Sequence, residues 1–199
     1  MKRLIVILAV LVSFCGSAMA EGITFGAKAG ATLSDFTGDI ENNESKLGFC
    51  GGLFMNYAIT EVISIQPELL FVMKGTKHDQ LENTAYRLSY FEVPALVKFS
   101  LPTEAAFMPH LFLGPSLGFL IDATLEYTGV ENDAKDLFKS VDYGAVVGTG
   151  FDYMIGQGRL LLDARYSFSL ADIVDEENED EDELKNSGIT IMVGYGHTF

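Results

Sequence analysis

From residue 23 to residue 199 the chain repeats one device, an apolar side chain at every second position. In the stretch 159–170, Leu160, Leu162, Ala164, Tyr166, Phe168 and Leu170 share one parity, while Asp163, Arg165, Ser167 and Ser169 share the other. Successive side chains of a strand point to opposite faces, so the alternation dictates β-structure with one greasy face. Eight segments carry it: 23–33, 47–59, 62–74, 85–101, 108–121, 141–155, 159–170 and 187–199. Each has about the ten residues that a tilted strand needs to cross a bilayer. The fourth changes phase near Tyr90 and Phe91, which predicts a β-bulge there.

The connections alternate as well. Those at 34–46, 75–84, 122–140 and 171–186 are long, and those at 60–61, 102–107 and 156–158 are short. Long external loops and short periplasmic turns are the layout of an outer-membrane barrel, whereas a soluble sandwich has no reason to sort its loops this way. The start of the chain points to the same compartment. Lys2 and Arg3 precede an apolar run from Leu4 to Phe14 and small residues at Ala18 and Ala20. That is a secretory signal peptide with cleavage expected after Ala20, which leaves 21–199 as one barrel domain. Without Lys2 and Arg3, 11 basic residues oppose 28 acidic ones, a formal charge of −17. Nucleic acid is excluded as a partner, because its binding needs Lys and Arg against the phosphates. Mean hydropathy is nevertheless +0.23. An exported, apolar chain with no stretch of transmembrane-helix length beyond residue 20 can satisfy its backbone in lipid by closing a β-barrel.

The glycines decide which face points outward. The non-greasy face holds Gly26, Gly30, Gly48, Gly52, Gly144, Gly148, Gly150, Gly194 and Gly196. Glycine weakens a water-facing strand and adds nothing to its solubility, but inside a narrow barrel it makes room for long neighbours. The bulky face therefore meets lipid. Phe25, Tyr57, Phe99, Tyr153 and Phe199 are expected at the periplasmic rim, and Phe71, Tyr86, Phe119, Tyr143 and Phe168 at the outer rim. The expected fold is an all-β, eight-stranded, antiparallel up-and-down transmembrane barrel, monomeric and solvated by outer-membrane lipid.

Four stretches also carry a family likeness: FGAKAGATLSDF (25–36), ISIQPELLFVMKG (63–75), YFEVPALVKFSLP (90–102) and LFLGPSLGFLID (111–122). In these the chain resembles PorT-like outer-membrane β-barrel proteins of the porin family. The resemblance implies an outer-membrane location and an eight-stranded barrel; its link to protein export is loose, and it implies little about activity. The closing strand resembles the signal read by the barrel-assembly machinery, a partner during insertion, and departs from it at His197.

Parity puts Lys28, Lys74, Arg87, Lys98 and Arg165 in the lumen against Glu68, Glu92, Asp142, Asp152 and Asp163. Lys28, Glu68, Glu92, Asp163 and Arg165 are expected near mid-height. Eight strands leave an interior just wide enough for side chains, so these charges are expected to pair into a plug; a proton or ion path is the alternative. Catalysis would have to rest on His78 beside Asp79, on His110 or on His197, and no nucleophile, base and orienting acid are spaced for it. GAVVGTG (144–150) lies inside a strand without a following helix, so it is no nucleotide loop. The histidines and Cys50 have no metal-ligand spacing, and no cofactor is expected. The expected role is structural or interactive, with a small ion or solute channel as the alternative and a lipid-modifying barrel enzyme as the third reading.

The last long loop carries nine acids against Lys185. Such a run is ordinarily a solvated face. A sharper reading makes Asp175, Glu176, Glu177, Glu179, Asp180, Glu181, Asp182 and Glu183 a low-affinity Ca²⁺ or Mg²⁺ site, with a dissociation constant on the order of 10⁻⁴–10⁻³ M. The solvated reading predicts that calorimetric titration of Ca²⁺ into the refolded barrel gives equal heats with and without residues 175–183. The cation reading predicts that the heat at millimolar Ca²⁺ disappears with the segment.

Overall fold

The computed structural model describes residues 22–38, 43–78, 84–103, 106–127, 130–173 and 184–199. The expected signal peptide and the acidic run 175–183 lie outside them. Nine strands form: β1 (Ile23–Gly38), β2 (Asn43–Ala58), β3 (Ile63–His78), β4 (Thr84–Ser100), β5 (Phe107–Tyr127), β6 (Val130–Asp133), β7 (Val141–Ile155), β8 (Gly158–Ser169) and β9 (Leu184–Thr198). All but β6 pair antiparallel on both sides, and the sheet closes where β1 meets β9, from Thr24↔Thr198 to Gly38↔Leu184. The result is a closed eight-stranded barrel, with β6 a short flap paired to the end of β5. Closure leaves no strand edge within the wall, so every ladder bond is made inside the sheet, as a structure without water around it requires.

The two faces are inverted relative to a water-soluble protein. On β9, Val193 is 61 % exposed and its neighbour Met192 only 1 %. Leu53, Leu69, Leu111, Val147 and Ile191 stand outward, while Lys28, Glu68, Asp163 and Arg165 are buried inside. Phe25, Tyr57, Phe99, Tyr153 and Phe199 ring the end that holds the short turns, the start of β1 and the end of β9, with Phe25 and Phe199 edge-to-face at 6.2 Å.

The glycines do more than leave space. A Cβ on Gly26 or Gly196 would run into the Phe54 ring, and one on Gly148 into the Phe112 ring. At Gly30 and Gly52 the obstacle is backbone: a Cβ would overlap the Ile191 and Leu69 carbonyls. At these positions neighbouring strands approach more closely than any side chain allows, which lets the wall coil tightly around a narrow lumen.

Two sequence expectations change. The strands outrun the alternation: β1 reaches Gly38, β3 reaches His78, and β5 reaches Tyr127. His78, expected in a loop, is the last residue of β3, paired with Asn43 and Thr84. Beyond the lipid the outward face meets water, so the greasy outer stripe ends while backbone pairing continues, and on β5 the apolar Ala123 and Leu125 turn inward. The bulge also moves. Tyr90 pairs with Leu120 and Ser89 with Asp122, so the extra residue is Ile121 on β5 and β4 keeps one phase. The apparent slip on β4 arises because Leu88 and Tyr90 are apolar and point inward, into a cap described below.

Gly30→Val and Gly52→Val each push a side chain into a backbone carbonyl and should cost about 1–3 kcal/mol or more, as overpacking does. Ala31→Val, on the lipid face one residue away, should be neutral. The folded fraction, read from the faster migration of the unheated barrel on SDS gels, distinguishes them.

Candidate functional site in the barrel lumen

The lumen is filled in three polar tiers under an apolar cap. Nearest the short turns, Asp152 of β7 accepts from Lys98 of β4 at 2.9 Å and from Arg159 of β8 at 3.2 Å. On the same level Asn56 donates to Ser64 at 2.8 Å and to Gln66 at 3.2 Å. At mid-height, Glu68 of β3 takes the Lys28 ammonium at 2.5 Å and the Arg165 fork at 2.8 and 3.3 Å, and Gln66 donates to it at 2.7 Å. Asp163 faces the same cations, 3.1 Å from Lys28 and 3.5 Å from Arg165. The Arg165 guanidinium also lies 5.2 Å from the Phe112 ring centre, covering a cation face that no carboxylate meets. Above, Lys74 reaches Glu92 at 2.6 Å and Asp142 at 3.8 Å, and Asp142 accepts from Ser169 at 2.8 Å and Asn186 at 3.1 Å.

His110 joins the lower tiers. Its Nε2 is 3.0 Å from Asp163 and its Nδ1 3.7 Å from Asp152, and the ring is buried. The strands that supply these groups are far apart in sequence, so only closure brings them together. Desolvating charges is costly, and the expense is met at Glu68, Asp152 and Asp163 by several charge-assisted contacts to each carboxylate.

The upper mouth is closed by apolar side chains. Leu88, Tyr90, Leu120, Ala123, Ala134, Phe138, Ile173 and Leu184 form one buried cluster. The segment after β6 is tied into it by backbone bonds: Ala134 N–H to the Ala123 carbonyl at 2.9 Å, Lys139 N–H to the Ile173 carbonyl at 2.8 Å, and Ile173 N–H to the Leu184 carbonyl at 2.9 Å.

Of the five mid-height residues expected from parity, Lys28, Glu68, Asp163 and Arg165 form one cluster, and Glu92 sits apart with Lys74 and Asp142. Arg87 is not in the lumen. It is about a third exposed at the loop end, 3.5 Å from Glu131 and 3.9 Å from Glu126. Arg159 takes its place in the balance, so five cations still oppose five carboxylates. Its signal was available, since it shares parity with Asp163 and Arg165, but it begins a strand beside a turn, where alternation fades. His110 likewise shares parity with Gly114, Ser116 and Gly118 and was legible as an inward residue. His197 packs edge-on against Phe199 at 4.8 Å between ring centres. Cys50 is buried and unpaired, and among the described residues no group of three or more His, Cys, Asp or Glu is arranged to hold a metal ion.

Residues 17–175 match the family described as outer membrane protein beta-barrel domain. No curated protein matches the chain. Among solved structures, Neisserial surface protein A (NspA) aligns at TM-score 0.55 and 17 % identity, over 90 % of this chain and 100 % of its own. The Outer Membrane Protein W of E. coli aligns at TM-score 0.51 and 14 % identity, over 91 % and 100 %. Ail, the attachment invasion locus protein of Yersinia pestis, aligns at TM-score 0.50 and 18 % identity, over 90 % and 100 %. At these identities the likeness is one of fold.

The tiers rank the consequences of truncation. Glu68→Ala removes the acceptor shared by Lys28, Arg165 and Gln66 and leaves Asp163 alone against two buried cations, which should cost about 3–5 kcal/mol, the usual loss when one partner of a buried pair is removed. Glu92→Ala leaves Lys74 with Asp142 still in reach and should cost less. Urea unfolding of the two variants in lipid vesicles tests that order.

Proposed function

We propose, from the premise that this chain belongs to the outer membrane protein beta-barrel domain family, that it is a sealed barrel with a structural or interaction role. Its location in the outer membrane follows from the family and the lipid-facing wall. The observation that carries the proposal is the occupied lumen. A conducting path needs a continuous wetted route, and here each level holds buried side chains already bonded to one another. An ion entering from the loop end would first have to displace the Leu88–Phe138–Ile173 cap, then separate paired charges whose desolvated partners would be left uncompensated.

The same geometry argues against catalysis. His110 is clamped between two carboxylates, and neither ring nitrogen meets a hydroxyl or thiol among the described residues. A nucleophile paired with a base is the minimum that covalent chemistry requires. What the barrel presents to the outside is its loop end, where β5 and its β6 flap project past the lipid-facing wall. A rigid base carrying projecting loops suits contact with a partner. The PorT-like resemblance of 63–75 and 90–102, which are parts of β3 and β4, supports a partner in protein export among the possible interaction roles. Insertion by the barrel-assembly machinery and a monomeric state belong to the same proposal.

The purified barrel in planar bilayers should show no steady conductance across the physiological voltage range. Large, stable, ion-selective openings in the unmutated protein would overturn the sealed reading in favour of a channel.

A further inference from the structure

The charges of the lumen balance as a whole but not tier by tier. At mid-height Lys28 and Arg165 face Glu68 and Asp163, a sum of zero. Nearest the short turns Lys98 and Arg159 face Asp152, a sum of +1. In the upper tier Lys74 faces both Glu92 and Asp142, a sum of −1. Asp142 and Asp152 lie ten residues apart on β7, about 33 Å along the strand, so the positive charge below does not neutralise the negative charge above.

The unbalanced tier also holds a space. A cavity of about 10 Å³, room for one water-sized body, is lined by Lys74, Glu92, Asp142, Ser116, Gly144 and Ser167 with their neighbours. Ser116 and Gly144 are register partners on β5 and β7, and a Cβ on Gly144 would overlap the Phe168 carbonyl, so the wall stays small there. Asp142 is 5 % exposed, and its two oxygens differ. Oδ2 accepts from Ser169 at 2.8 Å and from Asn186 at 3.1 Å, with Lys74 at 3.8 Å. Oδ1 has no hydrogen-bond partner, and neither has Oδ1 of Asn186, the side chain that donates to Asp142. Lys74 is drawn instead to Glu92, at 2.6 Å, and lies 5.3 Å from the Tyr90 ring centre.

A buried anionic oxygen is costly until a donor or a cation meets it. A water at the cavity would satisfy Oδ1 but leave the tier at −1. A bare monovalent cation answers both needs, since hard cations take oxygen ligands and the Asp142 carboxylate and the Ser116 and Ser167 hydroxyls supply them. A divalent ion would need more carboxylate than this tier offers, because Glu92 is engaged by Lys74.

We infer that the upper-tier cavity binds an alkali cation, Na⁺ or K⁺, on Asp142 with Ser116 and Ser167. The inference goes beyond the sealed-barrel reading. A cation held in a closed cavity carries no current, so ion-dependent stability tests one and conductance the other.

The test is urea unfolding of the refolded full barrel in neutral lipid vesicles, at rising concentrations of NaCl, KCl or choline chloride. A ligand that binds only the folded state raises stability with the logarithm of its concentration once that exceeds the dissociation constant. The urea midpoint should therefore rise with NaCl or KCl and stay lower in choline chloride of equal ionic strength, whose cation is too large for the cavity. The alkali ion that acts at the lower concentration is the one the site selects. Asp142→Asn keeps the shape of the side chain and removes its charge, and should make the three salts equivalent. Ser167→Ala should raise the concentration of half-effect severalfold. Asp136→Asn, which removes an exposed carboxylate at the loop end, should keep the full difference. If Asp142→Asn does not refold, Ser167→Ala decides alone. Equal midpoints in the three salts for the unmutated barrel, or a difference that the folded Asp142 and Ser167 variants leave untouched, overturns the inference in favour of a water at the site.

Discussion

A strand in lipid has nowhere to send its backbone hydrogen bonds except to another strand, and most features of this protein descend from that requirement. It forces closure, and closure at eight strands fixes a lumen only as wide as its own side chains. The wall must then coil sharply, which is why Gly30 and Gly52 sit where neighbouring carbonyls take the place of a Cβ. It also explains why the bulky rings of Phe54 and Phe112 lie over Gly26, Gly196 and Gly148 instead of over other side chains. Small and large residues alternate across the lumen because the circumference leaves no other packing.

Within that narrow space the polar groups are committed to each other. Glu68 is reached from β1, from β8 and from its own strand, by Lys28, Arg165 and Gln66. Asp152 and Asp163 are linked through His110, so the lower two tiers form one chain of contacts from Arg159 to Glu68. A charge in this chain is balanced by neighbours that are themselves buried, and a change at one member is felt by several. The upper tier, around Asp142, connects instead to the apolar cap through Asn186 and the Tyr90 hydroxyl.

Alternation made the eight crossing segments and the direction of each face legible, because lipid and lumen impose opposite demands on adjacent residues. It failed where those demands lapse. Past the lipid boundary Thr76–His78 have no apolar rhythm yet continue β3, and on β5 the alternation resumes after Ile121 in the opposite phase, with Ala123 and Leu125 turned inward against the cap. At the mouth the rule inverts, since Leu88 and Tyr90 are apolar and inward, and periodicity alone read them as a phase slip. Which lumen charges meet was not legible either. Parity sets the face, but tilt and stagger set the height, so Glu92 parted from Glu68 and Arg87 left the lumen. Nothing in the spacing of Ala134, Phe138 and Ile173 announced that parts of two expected external loops, 122–140 and 171–186, would fold inward as a cap.

The ionic interior also has a consequence for register. A shift of one residue turns every side chain of a strand to the opposite face. For β8 that would place Asp163 and Arg165 in lipid and Leu162 and Ala164 in the lumen. An arginine at the bilayer midplane costs about 2–4 kcal/mol, and the shift would also take Arg165 from Glu68 and Asp163 from Lys28. An all-apolar lumen would exact no such penalty, since both faces would tolerate either environment. The contacts at stake join β1, β3 and β8, with sequence separations of 40, 97 and 135 residues. They are satisfied together only when the β1–β9 seam has closed in the observed register. The charges that fill the lumen thus discriminate among ways of closing it, which backbone hydrogen bonds, identical in every register, cannot do.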